Sequence, residues 1–227
     1  MNILIVSATT FEIAPLLQFL GSNAEKLSLF EYKYKGNVIY PLVTGVGALN
    51  TSFGMSRYTG IEKTDVAINV GLAGSYQQSL VLGTVVEVIE DRFGDLGVEE
   101  KDGSFTDVFD LGLTNENQFP YENGWIKNTK RKFETNMLKV KSLTVNKVHG
   151  SQESIDKIKS KYMADIESME GAGFLYACRM MDVHAHQFRA ISNYVEPRNK
   201  DNWRIEKAID NLNAHLIQVL NNIEEVA

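Results

Sequence analysis

Several polar residues with chemical potential lie directly after predicted strands of this chain. Glu12 follows the apolar segment MNILIVSA, and the turn Gly71-Leu72-Ala73-Gly74 closes the segment TDVAINVGLAGS. Glu170 follows ADIESM, and Asn193 lies near the end of HQFRAISNYV. Loops beyond the carboxyl ends of strands in an open α/β sheet converge on one crevice, so these residues could form one site. Acidic residues also begin helices to offset the helix dipole, so a capping role for Glu12 and Glu170 remains open.

The elements that must position these residues alternate between strands and helices. Apolar runs predict strands at MNILIVSA, TDVAINVGLAGS, GTVVEVIEDRF, SLTVNKV and HQFRAISNYV, with a hairpin that turns near residues 35–37. Helical spacing predicts helices at TTFEIAPLLQFLG, LNTSFGMSRYTGIE, SQESIDKIKSKY, EGAGFLYACRMMD and WRIEKAIDNLNAHLIQVLNNIEEV. Thr9 or Thr10 is expected to cap the first helix and Gly21 to end it. This order predicts an α/β domain with a mixed central sheet.

Residues 94–135 differ from the rest of the chain. They are rich in Gly, Asn, Asp and Glu, with little periodicity, and include GDLGVEEKDGSF and LTNENQFPYENGW. A loop of this length within a compact domain is usually functional or mobile.

Length, charge and cysteine usage limit the class of protein. The 227 residues fit a single domain over 1–227, and the net charge of −6 is not accompanied by any long basic run. We therefore expect no binding to nucleic acid or to an anionic membrane. The N-terminal apolar run ILIV is too short for a signal peptide core or a membrane span. The single cysteine, Cys178, fits a reducing compartment, and we expect a cytoplasmic protein.

Several other kinds of site are poor interpretations of the sequence. Gly45-Val46-Gly47 lacks the third glycine and the later acidic residue of a dinucleotide site, and no phosphate-binding P-loop or GxSxG elbow occurs. No metal site is expected, since the four histidines show no metal-ligand spacing with the lone cysteine. For His149, His184, His186 and His215, surface or hydrogen-bonding roles are preferred.

A group of motifs over most of the chain resembles the nucleoside phosphorylase and nucleosidase superfamily, and most closely its futalosine hydrolases. They are TGVGALNTS, INVGLAGSY, DLGVEEKDG, ESMEGAGFLYA and RAISNYVEPRN, together with Glu12 and Trp203. ESMEGA and RAISN at this spacing form a specific signature. The resemblance implies a three-layer α/β/α sandwich around a mixed, partly closed central sheet. It also implies a purine nucleoside substrate, no cofactor, and a homodimer or larger homo-oligomer.

The resemblance also implies roles for individual residues on the sugar side of a cleaved N-glycosidic bond. Glu170 would accept hydrogen bonds from the ribose hydroxyls, and Met169 would pack its thioether against the ribose. Ala73, Gly74 and Trp203 would complete the substrate-binding surface, with Trp203 either a lid aromatic or a buried residue at the start of a helix.

The attacking group and the leaving base involve three further residues. By resemblance, Glu12 would hold and deprotonate water, with Arg189 nearby to orient the carboxylate. Related phosphorylases bind phosphate with arginines and a glycine-rich turn, whereas this chain has SATTFEI there, so water is the expected acceptor. Adenine-cleaving nucleosidases have Asp at the position of Asn193. An amide there suits a 6-oxopurine, so hypoxanthine released from futalosine is the expected product.

Two alternatives to futalosine hydrolysis remain open. One is another purine nucleosidase or phosphorylase, acting on aminodeoxyfutalosine, methylthioadenosine, S-adenosylhomocysteine or inosine. The other is a nucleoside-binding protein without catalysis, against which the intact set of Glu12, Glu170 and Arg189 argues. Leu72 and Ser168 depart from the adenine-cleaving pattern, which has a serine and a glutamate at those positions.

Overall fold

The computed structural model of the protein describes residues 1–223. The strands are β1 Asn2–Ser7, β2 Glu25–Lys26, β3 Tyr32–Tyr34, β4 Asn37–Val43, β5 Val66–Ser75, β6 Val85–Phe93, β7 Gly97–Glu99, β8 Phe105–Asp107, β9 Ile126–Lys127, β10 Lys139–Thr144, β11 Ile166–Ser168 and β12 Ala185–Tyr194. The helices are α1 Ala14–Asn23, α2 Ala48–Arg57, α3 Gln152–Tyr162, α4 Gly171–Met180 and α5 Ile205–Asn222. Short 3₁₀ turns occupy Phe11–Ile13, Ile61–Lys63 and Lys200–Asn202.

The main sheet is mixed, and part of it closes on itself. Its order is β11-β10-β6-β12-β5-β1-β4-β3-β2, and β11 also pairs with β5. The five strands β5, β12, β6, β10 and β11 therefore form a closed ring, from which β1, β4, β3 and β2 extend as an open sheet. Pairing is parallel between β5 and β12 but antiparallel between β12 and β6 and between β11 and β5. The predicted mixed, partly closed sheet is confirmed.

Strand β1 shows why the fold has three layers. Successive side chains of a strand point to opposite faces, and all the residues from Ile3 to Val6 are fully buried. Ile3 and Ile5 pack in one cluster with residues of α1 and α5, whereas Leu4 and Val6 pack in another with residues of α2 and α4. The predicted α/β/α sandwich is confirmed.

A third cluster fills the space between strands of the closed ring. It takes side chains from each of the five ring strands: Ala73, Val86, Val88, Val140, Ile166 and Ile191. The ring is thus a packed core and places the carboxyl ends of β5 and β12 and the short strand β11 close together.

Some predicted element boundaries were wrong. Gly21 does not end the first helix but lies inside α1, which continues to Asn23. Of the two predicted capping residues, Thr10 makes no capping bond, whereas the Thr9 hydroxyl accepts a hydrogen bond from the Glu12 N–H. The helix predicted to extend to residue 62 ends at Arg57, before a turn at 59–60.

The strand predicted at SLTVNKV is β10, which begins earlier and ends earlier than expected. Its first residues include Lys139 and Lys141, whose ammonium groups lie 2.8 Å from Glu87 and 2.7 Å from Glu90 of β6. Cross-strand ion pairs therefore extend this strand where the hydrophobic pattern is weak.

The segment 94–135 is largely irregular, but it contains the hairpin β7–β8 and the short strand β9, which pairs with β6. The predicted C-terminal helix is α5; residues 224–226 of that prediction lie outside the described residues. Within residues 1–223, the helices are all too short or too polar to cross a membrane.

Candidate active site

A cavity of about 320 Å³ opens where β1, β5, β11 and β12 end. Seven of the eight predicted site residues line it: Glu12, Ala73, Gly74, Met169, Glu170, Asn193 and Trp203. Arg189 is the eighth, and it lies buried outside the cavity wall. The sequence motifs that were far apart in the chain therefore meet at one edge of the sheet.

Glu12 is held in one orientation by the 3₁₀ turn that follows β1. Its Oε2 accepts hydrogen bonds from the Thr9 N–H at 3.0 Å, the Thr9 hydroxyl at 2.9 Å and the Ser7 hydroxyl at 3.2 Å. Its Oε1 accepts one from the Leu72 N–H at 3.2 Å. Four donors fix both oxygens, so the carboxylate is positioned before any ligand arrives.

Arg189 places a fully buried positive charge behind this wall. Its guanidinium donates to the Asn69 side chain and to the Phe188 carbonyl. Burial lowers the pKa of Arg189, while the nearby carboxylates of Glu170 and Glu12 oppose that shift. An arginine nevertheless stays charged in a protein, so the site keeps a fixed cation beneath it.

Glu12 and Arg189 come closest to each other beside Gly71. Gly71 of β5 is the register partner of Arg189 on β12. A Cβ at Gly71 would lie 3.0 Å from Glu12 Oε1 and 3.2 Å from Arg189 Nη1. Within the described chain the two charged groups form no ion pair within 4.0 Å, so Arg189 acts on Glu12 through its field, across a glycine.

Glu170 joins the start of α4 to the start of α2. Its Oε1 accepts a hydrogen bond of 3.0 Å from the N–H of Gly47, which a positive φ of 101° makes a glycine position. Burial raises the pKa of Glu170, against the opposing effects of Arg189 and the Gly47 N–H. Met169, half-buried, precedes it on the cavity wall.

Asn193 lies at an irregularity of β12, where the pairing with β5 shifts between Ile191 and Asn193. The Ser192 hydroxyl donates to Asn193 Oδ1 at 2.8 Å, and Asn193 Nδ2 donates to the Tyr194 carbonyl at 3.0 Å. An amide nitrogen has two N–H groups, so one of them remains for a ligand in the cavity.

Comparison with known proteins is consistent with this arrangement. The sequence profile of the phosphorylase superfamily matches residues 2–223. The chain belongs to the phosphorylase superfamily. It is 31% identical over 215 residues to futalosine hydrolase of Thermus thermophilus, a match that covers 92% of this chain and 91% of that protein.

Two solved structures show the same superfamily fold. Futalosine hydrolase of Helicobacter pylori superposes with a TM-score of 0.78 at 16% identity, covering 98% of each chain. A 5′-methylthioadenosine/S-adenosylhomocysteine nucleosidase of Colwellia psychrerythraea, solved with adenine, gives 0.77 at 17% identity and covers 97% of this chain and 95% of that one.

Asp91 is a buried residue next to the site, and the sequence did not reveal its role. Its Oδ1 accepts from the Thr144 hydroxyl at 2.9 Å, and Thr144 Oγ1 accepts from the Ala172 N–H at 2.7 Å. Gln187 donates to Asp91 Oδ2 at 2.9 Å. Asp91 therefore fixes the first turn of α4, directly after Glu170. The strand VVEVIEDRF holds four charged residues, Glu87, Glu90, Asp91 and Arg92, and nothing in the sequence singles out Asp91.

Glu167 is the second such residue, and it lines the cavity itself. The Tyr76 hydroxyl donates to its Oε2 at 2.6 Å. In the sequence it reads as one acidic residue among others in ADIESMEG, and nothing there distinguishes it from a surface position.

A surface or hydrogen-bonding role was predicted for all four histidines, and two of them make hydrogen bonds through their rings. His186 is fully buried with Nδ1 2.8 Å from Glu87, and His149 Nδ1 lies 3.3 Å from Glu167. Across residues 1–223, no three His, Cys, Asp or Glu side chains are arranged to hold a metal ion.

We expect Gly71→Ala to lower the free energy of unfolding by about 1–3 kcal/mol, because the added methyl must displace the Glu12 carboxylate or the Arg189 guanidinium. Gly21→Ala is the matched control, since nothing lies within 4 Å of its Cβ position inside α1. That variant should be stabilised by up to ~1 kcal/mol. Urea unfolding measures both, and equal stability of the two variants would contradict the role given to Gly71.

Asp91 should make stability depend on pH. Burial raises the pKa of Asp91 to about 6, against hydrogen bonds from Gln187 and Thr144. Between about pH 4 and pH 6 the folded protein keeps a proton that the unfolded chain has released, so stability falls as pH rises through this window. Relative to wild type, Asp91→Asn should therefore gain about 2 kcal/mol on going from pH 4 to pH 7.

Urea unfolding of both proteins at each pH tests this expectation. Asp156→Asn, on the exposed side of α3, controls for the loss of one negative charge. A difference between Asp91→Asn and wild type that is the same at both pH values would rule out a buried titrating Asp91.

Proposed function

We propose that this protein is a futalosine hydrolase, a purine nucleosidase that uses water to split futalosine into dehypoxanthine futalosine and hypoxanthine. The observation that carries the proposal is the meeting of Glu12, Glu170 and Asn193 on one cavity wall. The identity to the Thermus thermophilus futalosine hydrolase over most of both chains supports it. The match across residues 2–223 also supports a single domain.

The two carboxylates suit the charge that develops as an N-glycosidic bond breaks. Positive charge grows on the ribosyl C1′–O4′ unit, and negative charge grows on the departing base. Groups already fixed in place stabilise such charge without reorganisation at the moment of reaction. In the proposed mechanism Glu170 holds the ribose hydroxyls with Met169 against the sugar, while Ala73 and Gly74 border the base.

Water is the proposed acceptor because the cavity disfavours an anion. The part of its wall formed by residues 1–223 carries Glu12, Glu167 and Glu170 but no lysine or arginine. Phosphate would face a like-charge penalty there. Glu12, held by four donors, instead takes the proton of the attacking water, with the Arg189 cation behind Gly71.

Asn193 supports a 6-oxopurine base. The remaining N–H of its amide can donate to N7 or O6 of the ring, but an amide cannot transfer a full proton as a carboxylic acid does. Hypoxanthine leaves with its negative charge delocalised, so hydrogen bonding is sufficient in this proposal, whereas adenine needs an acid.

A second cavity favours futalosine over simpler nucleosides. It has a volume of about 540 Å³ and shares Trp203 and Ile205 with the first. One acidic residue, Glu206, and four cationic residues line it, and within residues 1–223 none of the four cations forms a salt bridge: Arg198, Lys200, Arg204 and Lys207. Futalosine carries a benzoate on its 5′ side. We place that carboxylate among these cations, with Trp203 between the two cavities.

Exposed apolar residues near the cavity support a homodimer or larger homo-oligomer. Phe11 and Val46 line the cavity and are 63% and 49% exposed. Leu49 and Phe53 continue this surface along α2 at 82% and 60% exposure. Because i and i+4 residues share one helix face, these side chains form a patch that a second copy would cover. The buried, unpaired Cys178 supports a cytoplasmic location.

The proposed reaction predicts release of hypoxanthine from futalosine by the purified wild-type protein, at a rate that does not depend on added phosphate. Aminodeoxyfutalosine, methylthioadenosine and inosine should be poorer substrates. Glu12→Gln should lower kcat by about 10²- to 10⁴-fold, since the amide cannot accept the proton of water. Chromatography of the released bases measures each reaction.

The other outcomes identify the alternatives. Faster release of adenine from methylthioadenosine would indicate a methylthioadenosine nucleosidase, and phosphate-dependent turnover would indicate a phosphorylase. Binding of nucleosides without turnover, unaffected by Glu12→Gln, would indicate a binding protein.

The second cavity predicts how substrate charge affects turnover. Arg198→Ala should lower kcat/KM for futalosine by about 10- to 100-fold, because a charge-assisted hydrogen bond is lost. It should hardly change kcat/KM for the methyl ester of futalosine, which lacks that charge. Lys159→Ala, an exposed cation on α3, serves as control. Equal losses for the acid and the ester would exclude this cavity as the carboxylate site.

A further inference from the structure

Asn213 is a buried polar residue of α5 to which the proposed mechanism assigns no part. Only 1% of it is exposed, and Leu212 and Leu216 beside it in α5 belong to the apolar cluster that β1 shares with α1 and α5. An amide in such surroundings costs stability unless its polar atoms have hydrogen-bond partners. The partners of Asn213 therefore indicate its role.

Main-chain atoms engage both ends of the Asn213 amide. Its Nδ2 donates to the Glu12 carbonyl at 2.8 Å and to the Ile209 carbonyl, one turn earlier in α5, at 2.7 Å. Its Oδ1 accepts a hydrogen bond of 3.1 Å from the Leu16 N–H. An amide turned over would set its oxygen against two carbonyls, so these partners fix which atom is the nitrogen. The side chain is thus held to its own helix and reaches a segment that lies 201 residues earlier in the chain.

The start of α1 depends on this amide. The first N–H groups of a helix have no partner within the helix, and a polar side chain just before it usually supplies one. Ile13 occupies that position with an apolar side chain, and Pro15 in the first turn has no N–H. Asn213 accepts from the N–H of Leu16 instead. A residue of α5 therefore caps α1.

The same amide holds the residue that is proposed as the general base. Glu12 lies in the 3₁₀ turn before α1, and the bonds of its carboxylate to Ser7 and Thr9 are local to that part of the chain. Two further bonds tie Glu12 to distant elements. The Leu72 N–H reaches its Oε1 at 3.2 Å, and Asn213 reaches its carbonyl. Because local contacts move with the turn, these two bonds determine where the carboxylate lies.

We propose that Asn213 is a positioning residue for hydrolysis, because it fixes the turn that carries Glu12 and so keeps the carboxylate within reach of the attacking water. A general base acts only at hydrogen-bond distance from the proton it takes. A displacement of about 1 Å can lower a rate by about 10²-fold. The inference rests on the proposed function for the role of Glu12, but the placement of Glu12 by Asn213 can be measured without turnover.

The kinetic test separates a positioning role from general weakening of the fold. Asn213→Ala should lower kcat for futalosine by about 10- to 100-fold, because the base is displaced. KM should stay close to that of wild type, since Glu170 and Asn193 lie on other elements. In the Glu12→Gln background the same substitution should cause no further loss of kcat, because the group that Asn213 positions no longer takes the proton.

Asn211→Ala is the matched control. Asn211 lies in the same helix, and its Nδ2 also donates to a backbone carbonyl, that of Gly83 in the loop between β5 and β6, at 2.7 Å. Its loss should loosen α5 without displacing the Glu12 turn, so kcat should match that of wild type.

Amide hydrogen exchange reports on the carboxylate without any turnover. The Leu72 N–H donates to Glu12 Oε1, so a displaced turn leaves that N–H without its acceptor. In Asn213→Ala the Leu72 amide should exchange about tenfold faster relative to the other amides of β5. In Asn211→Ala that ratio should be the same as in wild type.

Asn213→Ser is a second variant, for use if alanine at this position prevents folding. A serine hydroxyl inside a helix donates to the carbonyl four residues earlier, here that of Ile209, but it is too short to reach Glu12. Asn213→Ser should therefore show the same loss of kcat and the same faster exchange at Leu72. Urea unfolding confirms that each variant is folded.

The outcomes distinguish this inference from the proposed function. Unchanged kcat in an active enzyme, unchanged protection of the Leu72 amide, or losses that multiply in the variant with Glu12→Gln would each overturn the inference. Wild type that releases no base from futalosine would contradict the proposed function alone, because exchange at Leu72 still shows whether Asn213 places Glu12.

Discussion

The site depends on a single buried positive charge. The Arg189 guanidinium lies beneath the carboxyl ends of the strands, where the carboxylates of Glu170, Glu12 and Asp91 all act on it. A buried cation is tolerated only with compensating charge, and closely grouped carboxylates repel one another without a cation. The buried cation and the carboxylates around it therefore stabilise one another. No direct ion pair joins them in the described chain, so the balance is electrostatic and leaves the carboxylate oxygens open to other partners.

Three glycines give the site its shape. Gly71 leaves the space that Glu12 and Arg189 occupy, Gly47 gives its N–H to Glu170, and Gly74 lets Val195 and Asn193 pack close to β5. The carboxylates are then oriented by short local contacts: the turn after β1 for Glu12, and the Asp91–Thr144–Ala172 chain next to Glu170. Fixed groups of this kind need little reorganisation when charge develops.

The sequence predicted the strands with strong apolar patterns, the layer order and the partly closed sheet, because these follow from periodicity and from the resemblance. It did not predict the early start of β10, where ion pairs through Lys139 and Lys141 replace hydrophobic signal. Asp91 and Glu167 escaped notice for a related reason. A charge in a strand segment reads as solvent-facing until the neighbouring strands are known, and only the pairing with β5 shows that Glu167 is next to Asn193.

The pairing of β11 with β5 closes the ring of strands. Two kinds of structure then surround the site: strands of this ring and a surface connection. The groups nearest the proposed sugar and base lie on or directly after strands of the closed ring, whereas Arg198, Lys200 and Trp203 belong to a surface connection between β12 and α5. Loops tolerate sequence change far better than packed strands do. Proteins with this fold can therefore change which substituent they accept at the 5′ end of the substrate while the groups around the glycosidic bond stay the same.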